Sequence, residues 1–170
     1  MATAIGRGGT RVNPWAADAY EKALSVGALL LLAAVLTALA RGQAQWAMVP
    51  GIVWAHILTI LVSLVLTPVI LLSPRGDRRH RVLGQIWAVA MLLTALLSFG
   101  IRETNGGRFS FIHILSAWVV IQVPLLWYAA RTHKVALHRG SVRGMVTGAL
   151  LIAGFFTFPF GRLLGHWLFG

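Results

Sequence analysis

The chain has no cysteine, and only 4 of its 170 residues are acidic. Without cysteine there is no disulfide, no thiolate metal site, no cysteine nucleophile and no covalently attached c-type haem. The acids are Asp18, Glu21, Asp77 and Glu103, all at the ends of apolar stretches or between them. No intramembrane carboxylate therefore offers itself to a proton relay or a cation site, which argues against a proton-coupled transporter of the usual kind. A glycine-rich phosphate loop is absent too, so nucleotide hydrolysis has no support. Charged residues of both signs make up 11%, against about 25% in a soluble domain.

What is present is mostly apolar, at 58% of the chain. Runs of about 18 or more apolar residues read as membrane-spanning helices. The pattern predicts an all-α integral membrane bundle of about five transmembrane helices, at 23–41, 50–72, 79–101, 110–130 and 138–161. Residues 1–22 form a cytoplasmic or interfacial segment, and 23–168 a single transmembrane domain. Arg41-Gly-Gln-Ala-Gln ends the first span, Ser73-Pro-Arg-Gly-Asp the second and Thr104-Asn-Gly-Gly follows the third, as turn chemistry requires. The basic tract 131–143 separates the fourth from the fifth. Asn13-Pro14 reads as a helix start. Ala38-Leu39-Ala40 resembles a signal cleavage site, but the long preceding region with Asp18 and Glu21 marks an uncleaved anchor.

Charge orients the bundle. With the N-terminus inside, the inner segments carry 11 of the 15 cations: Arg7, Arg11, Lys22, Arg75, Arg78, Arg79, Arg81, Arg131, Lys134, Arg139 and Arg143. The outer side carries Arg41, Arg102, Arg108 and Arg162. The positive-inside rule thus places the N-terminus inside and the C-terminus outside, in a bacterial cytoplasmic membrane. Trp15, Tyr20, Trp127 and Tyr128 fall at the inner interface, and Trp46 and Trp167 at the outer one. The net charge of +11 follows from the loop bias. No basic soluble domain exists to carry nucleic acid, so membrane lipid is the expected surrounding.

Two apolar stretches share a tetrad. Ala55–Pro68 reads AHILTILVSLVLTP and Ile112–Pro124 reads IHILSAWVVIQVP. His56 is followed 24 residues later by His80-Arg81, and His113 is followed 25 residues later by His138-Arg139. The repeating unit is His-Ile-Leu-[Thr/Ser], a proline, a basic turn, then His-Arg opening the next helix. Spans two and three (about 50–101) form one copy, and spans four and five (about 110–161) the other. Both run in one direction, so a pseudo-two-fold axis would lie along the membrane normal. His56 and His113 then share one depth, and His80 and His138 another, roughly 20 Å apart at 1.5 Å rise per residue.

Helical faces aim these residues inward. Thr59, Ser63 and Thr67 follow His56 on one face, and Gly84, Trp87, Met91, Thr94 and Ser98 follow His80. Polar stripes in lipid-embedded helices turn to the bundle interior, and the stripe Gly140, Gly144, Gly148 permits close approach of a helix or a flat ligand.

Neutral imidazole is a common metal ligand and an axial haem ligand. His56 with His113, and His80 with His138, would hold two b-type haems, with Gly84 giving room. Arg78, Arg79, Arg81 and Arg139 would meet inner propionates, and Arg102 or Arg108 outer ones. The layout resembles cytochrome b561, the transmembrane di-haem cytochromes, in which four consecutive helices each supply a histidine, second pairing with fourth and third with fifth. The resemblance covers roughly 50–161 and is one of layout. Family members commonly have six spans, and this chain has five. The His80-Arg81-x-x-Gly84 start also resembles a group of small bacterial multi-helix membrane proteins, which implies a fold and no activity.

The resemblance implies transmembrane electron transfer from a quinol or a soluble donor. Plainer readings stand beside it. An intramembrane histidine also serves as an interhelical hydrogen-bonding residue, and His80 and His138 also fit simple interfacial charge. His133 and His166 read as ordinary interfacial residues. The alternative function is a non-catalytic subunit or scaffold of a larger membrane complex, without its own haem. A quinone-binding permease built on the repeat is a third.

Overall fold

The computed structural model describes residues 16–101, 111–159 and 161–170. Asn13-Pro14, Trp15, Arg102 and Arg108 lie outside the described residues. Among those described there are helices and turns and no strand. The helices are α1 (Ala19–Arg41), α2 (Gly51–Leu72), α3 (Arg78–Ser98), α4 (Phe111–Arg131), α5 (Val135–Met145), α6 (Ala153–Phe155) and α7 (Leu163–Phe169). A 3-10 helix, Gln43–Met48, joins α1 to α2.

Four helices, α1 to α4, are long and apolar enough to cross a membrane, and the chain is an integral membrane protein. The stretch expected as a fifth span is helical but divided. The α5 segment passes into a π segment, Val146–Ile152, and then into α6. Trp118 lies over this stretch, and a Cβ added to Gly144 or Gly148 would meet its ring at 3.4 or 3.5 Å. The glycine stripe thus serves helix packing here, and the widened π turn coincides with the Trp118 contact.

Neighbouring helices pack in chain order: α1 on α2, α2 on α3, α3 on α4, α4 on α5. The π segment closes the bundle by touching α1, α2 and α4. Apolar side chains on the outer faces of the spans remain exposed, among them Leu30, Leu58, Val65, Ile86 and Ile114. That exposure suits a lipid surround, where apolar surface carries no penalty. Pro68 lies inside α2 and Pro124 inside α4. Each removes one backbone N–H without ending its helix, as membrane helices tolerate.

The expected inward aim of the polar stripe is met. Ser63, Thr67, Trp87, Met91, Thr94 and Ser98 are all buried. Trp87 Nε1 donates to Thr67 Oγ1 at 3.0 Å and Thr94 Oγ1 to Thr59 Oγ1 at 2.8 Å, tying α3 to α2. The Ser98 and Ser116 hydroxyls are 2.5 Å apart, tying α3 to α4. Each such bond contributes about 0.6 kcal/mol in a membrane protein.

Short helices close the end opposite the basic turns. Arg41 donates to the Leu168 carbonyl at 2.7 Å and Trp167 Nε1 to Gln45 Oε1 at 2.8 Å. The α7 helix packs on α1, and it lies so close to the turn after α6 that a Cβ on Gly165 would fall 1.6 Å from the Phe158 carbonyl oxygen.

Candidate functional site

Two places collect the chemistry: the basic end, where α1, α3 and α5 begin, and the interior near the opposite end, around His56.

At the basic end His80 sits in the first turn of α3 and His138 in the first turn of α5. Asp77 caps α3, its carboxylate accepting from the His80 backbone N–H at 2.6 Å. Helix α4 packs against both α3 and α5. The two imidazoles lie near each other. Their ring centroids are 6.4 Å apart with planes at 63°. His80 Nδ1 is buried with no hydrogen-bond partner among the described residues. His138 Nδ1 faces the Leu126 carbonyl at 3.5 Å, a long contact. Gly84, one turn beyond His80, and Gly140, beside His138, each have open space where a Cβ would stand.

Beside this pair lies an ionic cluster that the sequence reading did not anticipate. Glu21 is buried, at 2% side-chain exposure. Its carboxylate takes Arg139 Nε at 2.7 Å and Arg139 Nη2 at 3.0 Å. Arg143 Nε reaches it at 3.3 Å, and Arg75 Nη2 forms a further ion pair. Asp18 pairs with Arg139 at 3.1 Å and with Arg143. Asp18 and Glu21 also form a reciprocal capping box at the start of α1, which satisfies two backbone donors there. Three arginines, one from the α2–α3 turn and two from α5, are thus fastened to the first turn of α1. The available signal was Asp18-x-x-Glu21 ahead of an apolar run.

Arg139 is therefore committed to Glu21 and Asp18. Arg81, together with Arg78 and Arg79, is exposed. Asp18 lies outside the spans, and its carboxyl is held below the usual carboxylate range. The Glu21 backbone N–H is the main cause; partial burial works against it, and Arg143 and Arg139 reinforce it.

The opposite level is arranged differently. His56 Nδ1 lies 3.0 Å from the Thr94 carbonyl oxygen. A carbonyl only accepts, so Nδ1 carries the proton and Nε2 keeps its lone pair. His56 borders a cavity of about 90 Å³ in the bundle interior. Ser98 and Ser116 also line it, among mostly apolar walls. His113 is buried at 7% exposure, but it is not among the residues lining this cavity. Its ring packs against Phe99, with centroids 6.0 Å apart.

The hydroxyl ladder below His56 is no proton wire. Thr59, Ser63 and Thr67 donate to the carbonyls of His56, Thr59 and Ser63, so their protons are committed to their own helix.

The structure brings the His80 and His138 rings to 6.4 Å between centroids, while His56 borders the cavity and His113 packs against Phe99. Among the described residues no group of three or more His, Cys, Asp or Glu is placed to hold a metal ion. A porphyrin does not fit the His56 cavity of about 90 Å³, since a cavity of about 150 Å³ takes a ligand only the size of benzene. At the basic end the 6.4 Å between ring centroids is close to two metal–nitrogen bonds of about 2 Å plus the half-width of each ring, so His80 and His138 could hold one metal centre between them. Comparison with protein-family models, with curated proteins and with solved structures gave no match.

Proposed function

We propose that the protein is a membrane-embedded b-type haem protein for electron transfer, with one haem held between His80 and His138. The observation that carries this reading is the facing imidazole pair, in which His80 keeps a buried Nδ1 with no hydrogen-bond partner among the described residues. Buried polar nitrogens are normally satisfied, and two imidazoles this close could serve as a pair of haem ligands, with the Ile70 carbonyl beside the His80 ring to orient it. When bound, the haem supplies reversible one-electron chemistry. The chain's own residues hold and orient it. The Leu126 carbonyl lies 3.5 Å from His138 Nδ1, where it would help to orient a ligating ring.

Arg81, Arg78 and Arg79 are exposed at this end and suit carboxylate groups. Arg139 is engaged with Glu21 and serves instead to seat α5. This reading keeps third-with-fifth pairing from the cytochrome b561 layout and the tandem repeat 50–101 and 110–161. It takes one of the two haem sites of that layout, because the cavity beside His56, about 90 Å³, is too small for a porphyrin. In this reading the basic end faces the cytoplasm by the positive-inside rule, in a bacterial cytoplasmic membrane. The electron donor is a quinol or a soluble carrier.

The test is a dithionite-reduced minus oxidised spectrum of the detergent-purified protein with a pyridine haemochrome count. One b-type haem per chain is expected. A flat spectrum from folded protein overturns the reading and leaves a non-catalytic subunit of a larger membrane complex.

A further inference from the structure

The cavity beside His56 belongs to no part of the haem reading and lies at the other end of the bundle. We propose that it is a binding site for a small, lipid-soluble ligand with an apolar body and one hydroxyl group, and that His56 Nε2 accepts the hydrogen bond from that hydroxyl.

The argument begins with the tautomer. The Thr94 carbonyl fixes the proton on Nδ1, so Nε2 presents a lone pair and nothing else. No hydrogen bond to Nε2 is found among the described residues. A lone pair in an apolar lining calls for a donor, because an unsatisfied polar atom there costs free energy.

The other polar groups on the wall are already engaged. Thr94 Oγ1 donates within α3 or to Thr59. Ser98 and Ser116 bond to each other and to the carbonyls of Ala95 and Ile112, and Thr157 Oγ1 donates to the Gly154 carbonyl. The hydroxyl protons of the wall are therefore engaged, and what the cavity offers a ligand is acceptor lone pairs, that of His56 Nε2 foremost, and no free donor. A ketone or an ether finds no partner in it, and a hydroxyl does.

The remaining walls select an apolar body. Ile57, Leu64, Met91 and Val119 line the cavity together with the small Ala95 and Ala153. A volume of about 90 Å³ is below the roughly 150 Å³ that takes benzene. It admits a short alcohol whole, or the hydroxylated edge of a phenol ring. Both sources share the same recognition chemistry. The bundle is lipid-embedded, so the ligand must partition into the membrane to reach it.

The experiment uses the full chain in detergent with its histidines labelled with 15N. p-Cresol, n-butanol, anisole and toluene are titrated, and the His56 Nε2 shift is read. Saturable movement of that resonance by p-cresol or n-butanol is expected. Anisole and toluene should bind about tenfold more weakly, the loss of one hydrogen bond. The tighter of the two alcohols identifies whether the ligand is phenolic or aliphatic.

Ala153→Leu fills the cavity and keeps His56, and should abolish the shift. His56→Leu, checked for folding by circular dichroism and gel filtration, should lose the hydroxyl preference in a thermal-shift titration. Equal binding of anisole and p-cresol, or no saturable shift with either alcohol, overturns the proposal. The haem spectrum is read separately, so failure here is distinct from failure of the haem reading.

Discussion

Each histidine level is built from the two near-copies of one sequence, yet the two levels are arranged differently. At the basic end the His80 and His138 rings, from α3 and α5, lie edge to face with centroids 6.4 Å apart. At the other level His56 is fixed to a carbonyl of α3 and borders a cavity, while His113 stacks on Phe99. The difference lies in what surrounds each helix. The α2 helix is hemmed in by α1, α3 and the π segment, whereas α4 lies between α3 and α5 and touches the π segment. A repeated tetrad therefore does not carry its partners with it. Geometry at each level is decided by neighbours contributed from elsewhere in the chain.

The strongest way to break this comparison is to remove one imidazole at a time. His80→Ala and His138→Ala should each abolish bound haem, measured by haemochrome count per chain. His56→Ala and His113→Ala should leave it near the wild-type level. Loss of haem in His113→Ala with His80→Ala unaffected would invert the assignment of the two levels.

Next in size is the removal of Glu21. Its carboxylate is buried and holds Arg75, Arg139 and Arg143. Removing one partner of a buried ion pair costs about 3–5 kcal/mol, because the remaining charge is left uncompensated. Glu21→Ala should lower stability by that order in denaturant titrations in detergent. It should disturb the basic end more than the His56 cavity. A histidine-resolved NMR spectrum reads this directly: His80 and His138 should shift, and His56 should hold. If Glu21→Ala leaves stability unchanged, the cluster is not the fastening of α1 to α5.

Much of this architecture was legible beforehand, and the exceptions have physical causes. The first four spans follow from apolar length alone, because a lipid surround demands it. The inward stripe of Thr59, Ser63, Thr67, Thr94 and Ser98 follows from helical period. The division at Val146–Ile152 was not legible, because Trp118 on another helix occupies the glycine stripe there. Glu21 was passed over because a carboxylate near a span end usually meets water. Its burial depends on arginines 54 and 118 residues away in sequence. Nor does repetition of histidines reveal which pair meets, since that depends on how the helices pack.

A smaller effect sharpens the opposite level. Thr94 has two roles there: its carbonyl fixes His56, and its hydroxyl bonds to Thr59. Thr94→Val removes only the hydroxyl and keeps the shape. A cost of about 0.6 kcal/mol is expected, the usual worth of one interhelical hydrogen bond in a membrane protein. The His56 tautomer should survive, as read from its 15N shifts. A larger loss, or a change of tautomer, would show that the hydroxyl and not the carbonyl fixes the ring.

The smallest expected effect is at Asp18, and it is visible only through pH. This carboxylate is 44% exposed, so solvent screens its pairs with Arg139 and Arg143. Its folded-state value lies below the ordinary one, chiefly through the Glu21 N–H. A carboxyl whose value is depressed on folding contributes stability above its unfolded value, near 3.9. That contribution is lost as pH falls through the folded value, when the native state must also take up the proton. The melting temperature of the wild-type protein should therefore fall on acidification below about pH 4. Asp18→Asn still offers a side-chain oxygen to the Glu21 N–H but cannot titrate. Its melting temperature should be slightly lower at neutral pH and should fall less steeply in acid. Glu21 titrates in both proteins, so the difference between the two pH curves isolates Asp18. Curves that stay parallel down to pH 3 would mean that Asp18 caps α1 without contributing charge to the cluster. The basic end would then be held by Glu21 alone.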